Sequence, residues 1–439
     1  MKKKITVIGD VMIDWYLHGE SSRISPEAPV PVVNFKESKF QLGGAANVAN
    51  NLKYLEIEPF LIGAIGNDHF GSLLKEHLKA EKIKFNLLSE KSFQTICKQR
   101  LMSSNQQLAR IDYEKYFHGS KLTNLFNTFI KNIAKTDLII VSDYGKGTIF
   151  NARKLIQSAK RLKKKILIDP KGKDFTKYKG ANLITPNKAE FENIMGKVGS
   201  KRDLANKAKK MLEDLNLESL IVTLGSEGMY VLTKSNKKII GDFINAYPQE
   251  VFDVSGAGDT TISALGAALS EGNDIFSAAE FANLAASISV SKLGTSTVSK
   301  DEVTSLEASK GNKEQVIVFT NGCFDIIHSG HLDLLKEARS YGDKLIVGLN
   351  SDKSVSKLKG PERPIIGQSE RKKILSALKF VDEVIIFNEE NPLKLIKKLK
   401  PSILVKGADY AKEQVIGGEF VESYGGEIKL VKLTKGKSS

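Results

Sequence analysis

The sequence predicts an α/β protein built from two modules, each around a mainly parallel sheet. Three observations carry that expectation. Strand-like apolar runs recur between helical patterns along nearly all of the 439 residues, a length that at about 150 residues per domain allows two or three cores. Several runs end in a polar residue: Ile5-Thr6-Val7-Ile8-Gly9-Asp10, Leu138-Ile139-Ile140-Val141-Ser142-Asp143, Ile166-Leu167-Ile168-Asp169 and Leu183-Ile184-Thr185-Pro186-Asn187. A polar, small-residue stretch from Ser299 to Glu314 then separates a second rhythm of the same kind. In open α/β sheets ligands bind beyond the carboxyl ends of the strands, so these polar ends are the first places to look for chemistry.

Taken in order, the first domain spans 1–300. Between Asp10 and Arg110 the rhythm is less regular, with Pro29-Val30-Pro31-Val32-Val33 and Gln94-Thr95-Ile96-Cys97-Lys98 reading as short strands of an antiparallel layer, a lid or accessory sheet. Residues 301–314 read as a linker without a strong strand. In the second domain, 315–439, strands at 316–320, 345–349, 384–387 and 403–405 alternate with helices at 330–341, 369–378 and 392–399. A module of about 125 residues suits a single nucleotide-binding domain.

Composition narrows the function classes. Hydrophobic residues at 41% and charged residues at 27% are ordinary for a soluble chain, and no apolar run reaches bilayer length. The basic start Met1-Lys2-Lys3-Lys4 is followed by an apolar stretch that breaks at Gly9-Asp10, unlike a secretory signal. Cys97 and Cys323 lie far apart and make no metal spacing. A cytoplasmic protein with neither disulfide framework nor zinc site is expected. The charge of +15 arises from 66 Lys and Arg against 51 Asp and Glu. Clusters such as Lys163-Lys164-Lys165 and Lys397-Lys398 fall at helix-like ends, where they suit the helix dipole, so neither nucleic acid nor membrane is the expected partner.

The sharpest motif in the first domain is Asp253-Val254-Ser255-Gly256-Ala257-Gly258-Asp259-Thr260-Thr261 before a small-residue helix pattern. Glycines that open a helix leave backbone N–H groups aimed at one point, an anion hole for a phosphate in transit, and Asp259 would stand beside it to take a proton from an attacking hydroxyl. Gln41-Leu42-Gly43-Gly44-Ala45-Ala46-Asn47 lets a polyhydroxylated ligand approach the backbone, and Asp14 past the first strand could bind two hydroxyls. With Thr185-Pro186-Asn187-Lys188-Ala189-Glu190 and Val222-Thr223-Leu224-Gly225-Ser226-Glu227-Gly228, the set resembles the ribokinase-like sugar kinases over about residues 1–300. The resemblance implies an α/β sandwich with a small β lid. It implies Asp259 as catalytic base, Gly256, Ala257 and Gly258 as anion hole, and Thr223, Gly225, Gly228 and Asn283 around the nucleotide. Asn187 and Glu190 would organise Mg2+ and the ATP phosphates through water, with no direct protein ligand to the metal. A monovalent cation is a further expectation.

In the second domain, Phe319-Thr320-Asn321-Gly322-Cys323-Phe324-Asp325-Ile326-Ile327-His328-Ser329-Gly330-His331 follows a strand and enters a helix. Two histidines three apart at a helix start can both face a nucleoside triphosphate. The string resembles the cytidylyltransferase-like nucleotidyltransferases, a Rossmann-like fold. That resemblance implies His328 and His331 stabilising the α-phosphate as pyrophosphate leaves, with Asn321, Gly322, Cys323, Phe324, Asp325, Lys357, Lys359, Arg371, Lys406 and Asp409 around the nucleotide. Relatives continue into another helix over the triphosphate, whereas this sequence stops at Lys437-Ser438-Ser439, so that contact is expected to be missing or cut off.

The pairing, with Ser22 to Val33, Ser104 to Leu108, Ser142 to Gly147 and Lys292 to Val298, resembles the bifunctional heptose 7-phosphate kinase/heptose 1-phosphate adenylyltransferases. It implies phosphorylation of D-glycero-β-D-manno-heptose 7-phosphate at O1, then AMP transfer to the heptose 1-phosphate to give ADP-heptose for lipopolysaccharide core. ATP and heptose phosphates are the implied partners, and a homodimer the implied assembly. Asp143 joins Asp14, Gly43, Gly44 and Asn47 in the implied sugar site, and Arg23, Arg100, Arg110, Lys146 and Lys171 are the candidates to hold the 7-phosphate. The competing reading is another sugar kinase fused to a cytidylyltransferase that makes a CDP-alditol.

Overall fold

The apolar runs become strands of the computed structural model, which describes residues 2–103, 106–117, 122–235, 238–248, 251–292, 294–312, 316–407 and 414–431. Two units separate, Met1–Ser309 and Lys310–Ser439. Among the described residues the first unit carries a nine-stranded sheet. Its order is Lys238–Ile244, Met229–Ser235, Ser219–Thr223, Leu183–Ile184, Lys165–Asp169, Leu138–Ser142, Lys4–Gly9, Glu58–Gly66, Lys84–Glu90. All neighbours are parallel except the two pairs made by Met229–Ser235. Central strands are apolar on both faces because each face meets helices: Val7, Ile140 and Leu167 point into one core, Ile8, Ile139 and Ile168 into the other.

After Lys4–Gly9 the chain crosses Asp10 and enters a second sheet at once. That sheet has four strands in the order Pro31–Gly44, Val11–Ile24, Ile96–Ser103, Gln106–Tyr113. The two short strands expected from sequence are the beginnings of Pro31–Gly44 and Ile96–Ser103, while Val11–Ile24 and Gln106–Tyr113 were not foreseen. Their outer halves are exposed, so no apolar alternation marks them.

The stretch read as a linker is a helix, Lys300–Asn312. Ser299 and Glu302 form reciprocal bonds at its start: the Ser299 amide donates to Glu302 Oε2 at 2.8 Å and the Glu302 amide to Ser299 Oγ at 3.2 Å. Val303 is fully buried in the core of the first unit and Leu306 packs against it. The correction has a simple source, since one apolar residue per turn suffices to dock a helix that composition alone marks as polar.

The second unit has a five-stranded parallel sheet ordered Glu383–Phe387, Lys344–Asn350, Ile317–Gly322, Ile403–Gly407, Glu427–Val431. The strand order reverses between Ile317–Gly322 and Ile403–Gly407, which opens a crevice at their carboxyl ends. Four of these strands were expected. The edge strand Glu427–Val431, with two charges in five residues, and the helices Asp352–Lys359 and Gly418–Glu422 were not.

Replacing buried Val303 by aspartate should therefore lower the melting temperature of the first unit by several degrees, since an unpaired carboxylate would enter its core. Scanning calorimetry of the full chain would show whether that transition moves while the second unit's stays in place.

Candidate active sites

Gly256 stands before the helix Ala257–Glu271 at φ 78°, a left-handed conformation that a side chain resists, and a Cβ there would come within 2.9 Å of Asn47 Nδ2. This turn sets Asp259 in the first helical turn with 2% of its surface exposed. Asn47 Nδ2 donates to its Oδ2 at 2.9 Å and the Tyr144 hydroxyl to its Oδ1 at 2.8 Å. Burial pushes the Asp259 carboxyl up to about 7, against the hydrogen bonds from Asn47 and Tyr144 and the charge of Lys98, with Asp14 adding to the rise. Tyr144 is held in turn by Asp10, whose carboxylate accepts the amides of Tyr144, Lys146 and Thr148 at 2.9–3.0 Å.

On one side of Asp259 lies a hydroxyl-binding face. Gly43 is packed so closely on Asp14 that a Cβ would collide with its carboxylate, Gly44 has φ 55°, and Asn47 follows on the helix Ala45–Tyr54. Arg100 donates to Asp14 Oδ1 at 2.5 Å and lies 5.0 Å over the Tyr16 ring. The other candidate cations are elsewhere. Arg110 pairs with Asp112 at 2.8 Å on the outer strand, Lys146 with Glu114 at 2.6 Å, and Arg23 is exposed near the end of Val11–Ile24.

On the other side is a cleft of about 170 Å³ lined by Asp143, Tyr144, Asp169, Lys171, Asn187, Glu190, Thr223 and Gly258. Asp143 and Lys171, expected with the sugar, sit here instead, because their strands end beside the helix that carries Asn187. Asp143 accepts from the Tyr178 hydroxyl at 2.7 Å and pairs with Lys177 at 2.8 Å, and Lys171 pairs with Glu190 at 2.7 Å. Asn187 and Glu190 cap their helix reciprocally. Asp169 is held well above the ordinary carboxylate range by burial, then by the negative charges of Asp259 and Glu190. Among the described residues no cluster of three acids, histidines or cysteines is placed to ligate a metal directly, and the oxygens of Asp169, Asn187, Glu190 and Thr223 in this cleft suit a hard cation such as Mg2+ held through water.

The remaining expected nucleotide residues divide. Thr223 ends its strand at the cleft, and Gly225 and Gly228, at φ 61° and 91°, shape the turn behind it. The Ala257 amide bonds to the Val254 carbonyl at 3.3 Å, so of the expected anion hole Gly258 is the part that lines the cleft. Asn283 donates to the Asn245 carbonyl at 2.8 Å and ties its helix to the exit of Lys238–Ile244. Tyr144, Asp169, Asp10 and Lys98 had no assigned role from sequence. Two of them, Asp10 and Asp169, are polar strand ends, the signal that could have found them.

The second unit has its own cleft of about 550 Å³ at the crevice. Asn321, Gly322, Cys323, Phe324, Asp325, His331, Lys359 and Lys406 line it. Phe324 has φ 47°, rare for a bulky residue, and its ring lies 5.1 Å from that of His331. The rings of His328 and His331 stack at 3.9 Å at the start of the helix Ser329–Ser340. Burial, then the charges of His328 and Lys359, push His331 down to about 4, so it is neutral at physiological pH. Among the described residues the buried Nδ1 atoms of both histidines and Oδ1 of Asn321 have no hydrogen-bond partner, which suits groups that receive a ligand.

Of the other expected contacts, Asp325 lines the cleft with its carboxylate already engaged, while Arg371 and Lys357 are not part of the lining. Asp325 accepts from Arg363 at 2.8 Å and from the amides of Ile365 and Ile366, and although burial opposes them these bonds hold its carboxyl below the usual range. Arg371 is fully buried and donates to the carbonyls of Ile366, Cys323 and Asn350 and to Asp352. It braces the loops around the nucleotide cleft. Lys357 is exposed and pairs with Glu390 at 3.1 Å. Asp409 lies outside the described residues.

Arg371→Met should accordingly destabilise the second unit by about 3–5 kcal/mol, the cost of breaking a buried charged network. Denaturant unfolding followed by far-UV circular dichroism would show the second unit's transition moving to lower denaturant while that of the first unit stays in place.

With this geometry in hand, comparison with known proteins is informative. The family model "pfkB family carbohydrate kinase" matches residues 2–302 and "Cytidylyltransferase-like" matches 319–432. The chain is 42% identical to the bifunctional protein HldE of Hydrogenovibrio crunogenus, over 100% of this chain and 95% of that one. It is also 42% identical to HldE of Pseudomonas aeruginosa, over 99% and 95%. Among solved structures, ribokinase of Arabidopsis thaliana with ribose and ATP superposes on 70% of this chain and 99% of its own at TM-score 0.55 and 20% identity. Phosphofructokinase-2 of Escherichia coli with potassium does so on 71% and 100% at TM-score 0.59 and 18% identity. These structures establish the ribokinase-like fold of the first unit. The chain therefore belongs to the pfkB carbohydrate kinases over residues 2–302 and, along its whole length, to the family of bifunctional HldE proteins.

Proposed function

We infer that the chain is a bifunctional enzyme of ADP-heptose synthesis. Its kinase activity phosphorylates D-glycero-β-D-manno-heptose 7-phosphate at O1 with ATP, and its adenylyltransferase activity transfers AMP from ATP to heptose 1-phosphate. The observation that carries the kinase half is Asp259, buried at a helix N-terminus between a hydroxyl-binding face and an oxygen-lined cleft. Full-length likeness to HldE proteins disfavours the CDP-alditol alternative.

In this reading Asp259 takes the O1 proton as that oxygen attacks the γ-phosphorus and the bond to the β-phosphate oxygen breaks. A base with a pKa of about 7 is matched to neutral pH. Asn47 and Tyr144 hold its carboxylate in place, and the open helix end at Gly258 faces the transferring phosphoryl group. Asn187 and Glu190 would hold Mg2+ through water, with Asp169 in the same cleft, and the cation when bound would neutralise triphosphate charge. A monovalent cation beside the Gly256 turn belongs to the proposal as well. In the second unit an oxygen of heptose 1-phosphate bonds to the α-phosphorus while pyrophosphate leaves. His331, Lys359 and Lys406, which line the cleft, would meet the charge that develops there, with His328 stacked on His331 beside it.

The proposed domains are 1–300 for the kinase and 315–439 for the transferase. We propose a homodimer joined through the four-stranded sheet, whose outer residues Ile24 and Phe35 are each 64% exposed. No helix among the described residues is long and apolar enough to cross a membrane, and the proposed location is the cytoplasm.

Incubation with ATP and a panel of hexose and heptose phosphates, with product masses read out, tests the reading directly. A chain active only on free sugars would overturn it. Asp259→Asn should cut phosphorylation by roughly 10²–10⁴ and leave adenylyl transfer intact, whereas His331→Ala should do the reverse. Tyr144→Phe removes a hydrogen bond that favours the ionised carboxylate. It should therefore move the acid limb of the kinase kcat/KM profile to higher pH by about one unit. An unmoved limb would mean that Asp259 is not the titrating base.

A further inference from the structure

On the four-stranded sheet, Lys98 lies on Ile96–Ser103, one of the two inner strands, between two acids. Its cross-strand neighbours are Asp14 on one side and Asp112 on the other. Both are already taken, Asp14 by Arg100 at 2.5 Å and Asp112 by Arg110 at 2.8 Å. Directly opposed and alternate residues share one face of a sheet, so this face carries three cations against two carboxylates. Lys98 is the one left over: among the described residues it has no carboxylate within salt-bridge distance, although it is half-buried. Its ammonium sits 5.6 Å from the centre of the Tyr144 ring, and the hydroxyl of that ring touches Asp259. Its charge bears on Asp259, but among the described residues no acid closes on it directly, and a ligand's phosphate can supply that contact.

We propose that Lys98 receives the terminal phosphate of the sugar substrate, and that the kinase site thereby selects a sugar phosphate over the free sugar. This rests on the reading of the first unit as a heptose 7-phosphate kinase and names the residue that reads the 7-phosphate. Of the five cations expected from sequence to hold the 7-phosphate, Arg100, Arg110, Lys146 and Lys171 are paired with Asp14, Asp112, Glu114 and Glu190, and Arg23 is exposed near the end of its strand. Arg100 keeps a part in the arrangement, because it pairs with Asp14, the acid directly across the strands from Lys98. Phosphate could reach Lys98 from two sources, the sugar or the γ-phosphoryl group of ATP. The sugar is favoured because Lys98 stands on the sheet that carries Asp14, across Tyr144 from the cleft of Asn187 and Glu190.

The test uses the full chain with Lys98→Met and Lys98→Arg. Phosphorylation is measured with heptose 7-phosphate and with the free heptose, and binding of heptose 7-phosphate without ATP is followed by the fluorescence of Trp15, the chain's one tryptophan, on the neighbouring strand. Loss of a charge-assisted contact predicts a rise of roughly ten- to a hundredfold in the KM and Kd for heptose 7-phosphate. The KM for ATP should stay within twofold, kcat/KM should fall by roughly tenfold or more further with heptose 7-phosphate than with free heptose, where only the weaker influence of Lys98 on Asp259 is lost, and the arginine variant should recover most of the difference. A rise confined to the ATP constant would assign Lys98 to the γ-phosphoryl group and overturn the proposal. So would unchanged constants, or an equal loss on free heptose. A parent chain inert toward heptose 7-phosphate would overturn the functional reading itself, while an active parent with unaffected variants overturns this assignment alone.

Discussion

The carboxylate of Asp10 is the fixed point of the first site. It is completely buried and accepts three amides of the loop after Leu138–Ser142, while its own main chain bonds to Ser142 and to Ala45 at the start of a helix. Tyr144 and Asn47, the two donors to Asp259, therefore hang from one residue at the end of the first strand. Burial pushes the Asp10 carboxyl up, but its backbone hydrogen bonds work against that rise. A catalytic group with so high a pKa needs partners that cannot drift, and main-chain amides provide them.

The second unit reaches the same end by different means. Its frame is a buried cation rather than a buried anion, since Arg371 gathers three carbonyls and Asp352 beneath the cleft, and Asp325 gathers Arg363 and two amides beside it. With the loops fixed, Phe324 can be kept in a left-handed conformation next to His331. Two motif residues that looked like ligand contacts thus shape the cleft, Arg371 from beneath it and Asp325 from its wall.

The parallel sheets were legible because strands buried on both faces are continuous apolar runs bounded by polar turns. The glycine-rich helix start and the paired histidines were legible because few residue types permit those backbones and that chemistry. What stayed hidden depends on contacts across long separations. Nothing local shows that Lys171 meets Glu190 rather than a sugar, or that Arg371 points inward. The outer strands of the smaller sheet carry no apolar period, since solvent covers both sides of their tips. The capping residues Ser299 and Glu302 were readable, and only the polar composition around them pointed toward a linker.

The two titrating groups differ by about three units, Asp259 near 7 and His331 near 4. As the surroundings turn mildly acidic, the base of the first step is protonated while the imidazole of the second keeps its neutral form. Supply of the bisphosphate would slow before consumption of the monophosphate did.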